Sequence, residues 1–346
     1  VRAASTEGAA ERLAAESRAE DGGVHVKRTW TAALVAGVMA ASVAVPAIAQ
    51  DESVEGKTVT LMVGVQGDPF YISMECGARP AAEAAGLSFD VQGPDRFDAT
   101  LQNPMLDAVL AAAPDVLLVA PNDRTASLGP IQRIQEAGTT VVLVDTTVDD
   151  ESIGVSRIAT DNKLGGVRAA EALQTLGLVE GDKVLGISVN PGITSTDLRM
   201  EGFIEKSEEL GFDIVADTQY SNNEASKAAE IITAQLAADP DLKGVFAANL
   251  FTAQGVATGV RQAGVEGVQV VGFDAGPDQV LQLQQGDVQA LVAQQPFTIG
   301  ELGIQQAVAA LTGGEVTPEI QTESTVVTMD NIDDPEVAKF LYTSEC

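Results

Sequence analysis

The sequence predicts an α/β fold built from parallel sheets in two similar lobes. Three observations carry this. From Lys57 onward, short apolar runs alternate with helical segments in a βαβαβαβ order, the pattern of a parallel sheet covered on both faces. A second alternating series of similar size follows from about residue 183. Three apolar runs end in a polar residue: Val141–Val144 in Asp145, Val245–Ala248 in Asn249, and Val270–Phe273 in Asp274. In open α/β sheets, ligands bind beyond the carboxyl ends of the strands. A chain of 346 residues suits about two domains, and 45% hydrophobic with only 4% aromatic residues suits an Ala/Val/Leu/Gly-rich α/β protein.

Taken in order, residues 1–25 are polar and Ala/Glu-rich. Val26-Lys27-Arg28 opens a basic segment, Thr31 to Ala44 is apolar, and Ala47-Ile48-Ala49 follows, the layout of a secretory signal peptide cleaved after Ala49. The apolar run is short for a membrane span, which needs about 20 residues. Strands are expected over 58–65, 88–91, 116–120 and 140–144, with helices over 70–85, 98–113 and 126–137. Pro104 is expected to kink or restart the second helix, with Asn103 as its cap. After an extended stretch at 154–159, the second series has strands over 183–189, 213–216, 244–248, 269–273 and 290–293. Its helices fall near 196–210, 224–238, 252–263 and 278–285. A late helix over 300–311 and one late strand over 322–328 could return to either lobe, and Asp334-Pro335 opens a terminal helix over 336–342.

The formal net charge is −30. Residues 1–49 carry five basic and five acidic residues, so the remainder holds 15 Lys and Arg against 45 Asp and Glu. That balance argues against nucleic acid and against anionic lipid, both of which need cationic surface. The single His, His25, lies in the part expected to be removed, which excludes a His-based triad or metal site from the mature protein. Cys76 and Cys346 alone cannot make a four-ligand zinc site. There is no G-x-x-x-x-G-K-[ST] loop, no G-x-G-x-x-G fingerprint and no G-x-S-x-G elbow. Nothing supports catalysis, and no metal or cofactor is implied.

The strand tips instead suit a polyhydroxylated ligand. Carboxylates accept from hydroxyls, Arg donates, Asn and Gln amides do both, and an aromatic face packs on a sugar ring. The candidates are Asp68, Asp145, Asn249, Asp274 and Gln294 at strand or loop ends, Arg199 near a helix start, and Phe70 or Tyr71 as the platform. The competing reading of each tip residue is a helix N-cap.

Seven segments carry a family likeness: Asp68-Pro69-Phe70-Tyr71, Val144-Asp145, Thr160-Asp161-Asn162 with Gly165-Gly166, Arg199-Met200-Glu201-Gly202-Phe203, Val245 to Asn249, Val271 to Asp274, and Ala293-Gln294. In their order and spacing the sequence resembles the periplasmic sugar-binding proteins of the ribose-binding type, the substrate-binding subunits of ABC transporters. The resemblance implies two Rossmann-like lobes joined by a three-stranded hinge. It places residues 50–160 with about 295–321 in one lobe, 161–294 with about 322–332 in the other, and a tail at 333–346. It also implies that Phe70 stacks on the sugar while Asp145, Arg199, Asn249, Asp274 and Gln294 bond its hydroxyls. Asp68 stands where ribose binders have Asn, Thr146 where they have Arg, and Asn222 where a second aromatic stacker is expected. Those departures point away from ribose towards another pentose, a furanose, a hexose or a polyol. Asp161 and Asn162 read as caps of the helix entering the second lobe.

Cys76 and Cys346 would mature in an oxidising compartment; either they bridge the first helix to the tail, or they are two distant thiols. The function expected is that of a monomeric periplasmic receptor that closes on a small sugar or polyol and delivers it to a membrane permease. The alternative is a sensory receptor, with a ligand such as a furanone or nucleoside, that hands its closed form to a signalling partner.

Overall fold

The computed structural model describes residues 53–346. The expected leader, signal peptide and cleavage after Ala49 lie outside the described residues. In chain order the first half runs β1 (Thr58–Met62), α1 (Pro69–Ala84), β2 (Ser88–Gln92), α2 (Ala99–Ala112), β3 (Val116–Val119), α3 (Leu128–Glu136), β4 (Thr140–Val144) and β5 (Ser156–Thr160). The second half runs α4 (Asn162–Thr175), β6 (Lys183–Ser188), α5 (Thr194–Glu209), β7 (Asp213–Ile214), β8 (Gln219–Tyr220), α6 (Ala225–Ala238), β9 (Leu242–Ala247), α7 (Leu250–Ala263), β10 (Gln269–Phe273), α8 (Pro277–Gln285) and β11 (Ala290–Ala293). The chain ends with α9 (Pro296–Thr312), β12 (Glu319–Thr322), β13 (Thr325–Val327) and α10 (Pro335–Ala338).

These strands form two sheets. One has the order β12-β5-β4-β3-β1-β2 and the other β13-β11-β10-β9-β6-β7, with β8 also on β6. Every pairing is parallel except β11 with β13. The central strands are apolar and buried on both faces, as Val116–Val119 shows, because helices cover both sides. The chain passes between the sheets at residues 160–162, 293–296 and 322–325, and these crossings are bonded to one another. Thr160 Oγ1 donates to Gln294 Oε1 at 2.7 Å, and the Asp161 amide donates to the Thr322 carbonyl at 3.0 Å.

Two glycines of the family-like segments have a packing reason. A Cβ on Gly166 of α4 would strike the Arg199 carbonyl, and one on Gly202 of α5 would strike the Lys163 carbonyl. The two helices therefore touch through their backbones, and this contact sets where Arg199 stands.

Several expectations are corrected. α2 runs unbroken through Pro104, and Asn103 is not a cap: its Nδ2 donates to the Ala126 carbonyl at 3.0 Å. The backbone bond that Pro104 forgoes would fall on Thr100, which is exposed, so water can satisfy that carbonyl. The single late strand over 322–328 is two strands, β12 on the first sheet and β13 on the second. The terminal helix stops at Ala338, and the tail continues to Cys346, which is bonded to Cys76 of α1. No helix of the described residues is long and apolar enough to cross a membrane.

Candidate ligand-binding site

The carboxyl ends of both sheets face one cavity. Asp145, just past β4, has φ 63°, and Asp274, just past β10, has φ 76°. The left-handed region costs a non-glycine residue about 1 kcal/mol or more, and Asp tolerates it better than most. Neither residue caps a helix: no helix follows Asp145, and the N-cap of α8 is Gly276. The cap reading fails for these two tips and holds for two others. Asp68 caps α1 through Oδ1, which accepts from the Phe70 amide at 2.9 Å, and Asn249 caps α7 through Oδ1, which accepts from the Thr252 amide at 3.2 Å.

Arg199 is the single cation lining this cavity, and it is 3% exposed. Its Nε donates to Asn162 Oδ1 at 2.8 Å and its Nη1 to the Ala248 carbonyl at 2.9 Å. Its guanidinium lies 3.8 Å from the Phe273 ring centroid, a cation–π stack. This leaves Nη2 free to donate into the cavity. Asn162, expected only as a cap, is a positioning residue for Arg199, while Asp161 is the cap, accepting from the Leu164 amide at 3.0 Å.

The three carboxylates around Arg199 differ in their partners. Asp274 accepts from the Leu250 amide at 2.9 Å, Gln294 Nε2 at 2.6 Å and the Tyr342 hydroxyl at 2.9 Å. Asp145 accepts a side-chain bond only from the Tyr71 hydroxyl, at 2.8 Å. Asp68 accepts only from Phe70. All three are between 4% and 6% exposed. Burial pushes the Asp68 carboxyl up to about 7, with the charge on Asp274 adding to it. Burial also raises Asp145, to about 6, against the pull of Arg199. The Tyr71 and Tyr342 hydroxyls are held well above their ordinary range, chiefly by burial and then by the carboxylates they face.

Asp68, Phe70, Tyr71, Asp145, Arg199, Asn249, Asp274 and Gln294 are thus brought to one cavity. Two candidates stand apart. Thr146 is turned away, its hydroxyl donating to the Pro121 carbonyl at 2.7 Å. Asn222 lines an outer groove with Gln66 and Phe251. Gln294 does more than pair at the crossing: its amide joins Thr160 to Asp274. Sequence reasoning missed Phe97, Ser195 and Thr196 in the lining. It also missed Tyr342, whose ring meets Phe70 edge-on with centroids 5.8 Å apart. Phe97 was findable, because it follows the Gly93-Pro94 turn after β2 just as Phe70 follows β1. Tyr342 was not, because only the disulfide and the tail's path bring it there. A larger groove along β5 and β12 is lined by charged groups such as Glu151, Arg157 and Glu319, and has no aromatic ring.

The lobes meet across the cavity mouth. The Thr147 amide donates to Thr194 Oγ1 at 2.8 Å, and the Arg124 amide donates to the Gly192 carbonyl at 2.9 Å. Leu250 of α7 packs into the apolar cluster around β1 and α1. The structure is therefore that of a closed cleft. Among the described residues, no group of three or more His, Cys, Asp or Glu could hold a metal.

Comparison with known proteins agrees with this architecture. The sequence pattern of the periplasmic binding protein domain matches residues 59–315. The ribose import binding protein RbsB of Escherichia coli (strain K12) is 30% identical over 286 residues, 82% of this chain and 93% of that protein. An ABC transporter solute-binding protein from Agrobacterium vitis, crystallised with α-D-tagatopyranose, is 39% identical, with TM-score 0.80 over 83% of this chain and 99% of that one. A second from the same organism, with bound D-fucose, is 30% identical, with TM-score 0.79 over 82% and 100% of the two chains.

Proposed function

This chain belongs to the periplasmic binding protein family, and on that premise we propose that it is the receptor of an ABC transporter that takes a small neutral monosaccharide between its lobes. The family consists of binding proteins, not enzymes. The observation that carries the reading is the ring of hydrogen-bonding groups around Arg199: one free guanidinium nitrogen facing three carboxylates, an Asn and a Gln at the mouths of both sheets. Such a set bonds several hydroxyls at once.

Phe70 gives its ring to the apolar face of the sugar. Arg199 donates to a ring or hydroxyl oxygen, Asp145 and Asp274 accept from hydroxyls, and Asn249 and Gln294 complete the circle. Asp68 and Tyr71 face the ligand from the first lobe. Thr146 and Asn222, which do not line the cavity, are left out of this set. The lobes comprise residues 50–160 with about 295–321 and 161–294 with about 322–332, and closure between them is stabilised by a ligand that both contact. The closed form is what the permease receives. The protein works as a monomer after removal of residues 1–49, with Gln50 as its first residue. The sensory alternative draws no support from the relatives.

The tagatose-bound neighbour at 39% identity makes D-tagatose and related hexoses the first candidates. A thermal-shift screen of refolded, ligand-stripped protein against hexoses, pentoses and polyols tests this. A native-state ligand must raise the melting temperature. A clear rise with one or a few monosaccharides is expected, and no rise with any of them would contradict the reading.

A further inference from the structure

The cavity is short of positive charge. Asp68, Asp145 and Asp274 are all nearly fully buried and share the single guanidinium of Arg199. If all three were ionised, two negative charges would stand uncompensated among a neutral sugar and apolar walls. Burying an unpaired charge is costly enough that such a group takes up a proton instead.

The hydrogen bonds indicate which carboxyl holds it. Asp274 is surrounded by three donors. Asp145 has the Tyr71 hydroxyl and the favourable charge of Arg199. Asp68 has one donor, the Phe70 amide on Oδ1, while Oδ2 has no bond within the described residues. The ionisable groups that act on Asp68 are Tyr71 on its own helix, Asp145 at the tip of β4, Asp274 at the tip of β10 and Arg199 on α5. Two of these are like charges, against one cation.

We propose, building on the sugar-binding reading above, that Asp68 is the proton carrier of the site: it binds the sugar as a neutral carboxyl that donates from Oδ2 to a ligand oxygen, so that binding takes up a proton. Its value of about 7 in the closed, sugar-free cleft places the change within the neutral range. Affinity is then flat below about pH 6 and falls by up to tenfold per pH unit above about pH 7, the slope for one linked proton.

Two measurements on the purified protein test this. The first is an infrared titration of the sugar-free protein, reading the protonated-carboxyl band against Asp68→Asn. A band lost with a midpoint near 7 and absent in the variant is expected; a band lost below about pH 5 overturns the proposal. The second is calorimetry with D-tagatose, D-allose and D-ribose in buffers of different ionisation heat at about pH 7.5. Proton uptake of up to about three-quarters per sugar bound is expected, with none in Asp68→Asn, whose affinity becomes independent of pH. Sugar binding without uptake, or the same pH dependence in both proteins, overturns the proposal. A carboxyl titrating near 7 with no sugar binding overturns the sugar reading and leaves the proton in place.

Discussion

Asp145 and Asp274 are counterparts. Each follows a central parallel strand, each has a left-handed backbone, and each is almost fully buried. Yet Asp274 is held by three donors of the protein and Asp145 by one. The same inequality runs through the two halves of the cleft. The second lobe fixes Arg199 through Asn162 and Ala248, and Asn249 through its cap. The first lobe offers Asp145 and Asp68 with lone pairs still to be satisfied. One lobe therefore carries the more fully hydrogen-bonded half of the cavity, while on the proposed reading the other is completed by ligand and closure. This preorganisation lowers the ordering cost of the first encounter.

The largest effect should come from removing the centre of the more fully bonded half. Arg199→Ala is expected to weaken sugar binding by at least about 100-fold, some 3 kcal/mol, because it also leaves buried carboxylates without a cation. A loss below about tenfold in calorimetry would place the sugar elsewhere.

Two matched substitutions sharpen the contrast. Asp274→Asn turns an amide NH₂ towards donors that already point at it, so it should cost about 1–3 kcal/mol of folding stability as well as binding. Asp145→Asn has a single donor to disturb, so it should lower affinity while leaving the melting temperature nearly unchanged. Equal losses of stability would show that the two tips are not differently finished.

The tail gives a third way to break the difference. Tyr342, one of the donors to Asp274, is four residues from Cys346, which is bonded to Cys76 in the first lobe. Replacing both cysteines with Ser should cost roughly 2–5 kcal/mol of stability, read by chemical denaturation. It should also weaken binding, because Asp274 loses its fixed phenol. Unchanged affinity would mean that the tail holds Tyr342 without the bridge.

A pH-dependent effect concerns Asp68. Its folded value of about 7 lies above its ordinary value of 3.8, so between these the folded state binds more protons than the unfolded one. Its contribution to stability therefore falls as pH rises from about 4 to 7. The melting temperature of the sugar-free wild type should drop more over that window than that of Asp68→Asn. Parallel curves would remove the buried, unsatisfied carboxyl from the account.

Much of this architecture was legible in the sequence, because apolar strands ending in Asp or Asn carry their own register and direction. The strand tips Asp145, Asn249 and Asp274 were found this way, and Arg199 by its place near a helix start in the family-like segment Arg199-Met200-Glu201-Gly202-Phe203. The hidden features depend on distant parts of the chain or on backbone angles. A tip carboxylate or amide caps a helix only where a helix begins at the next residue and the backbone angle aims the side chain at it. That condition separates Asn249 from Asp145. Tyr342 reaches the site from the tail, and the late strands divide between sheets within three residues. Periodicity, being a local signal, cannot report any of these.

The most direct measurement is a crystal structure of the protein grown with the monosaccharide that gives the largest thermal shift. The account predicts the sugar between the lobes, its ring on Phe70, with oxygens within about 3.2 Å of Arg199 Nη2 and of the unpaired edges of Asp145 and Asp68. A sugar seated in the groove beside Glu151, Arg157 and Glu319, or anywhere outside the Arg199 cavity, would contradict it.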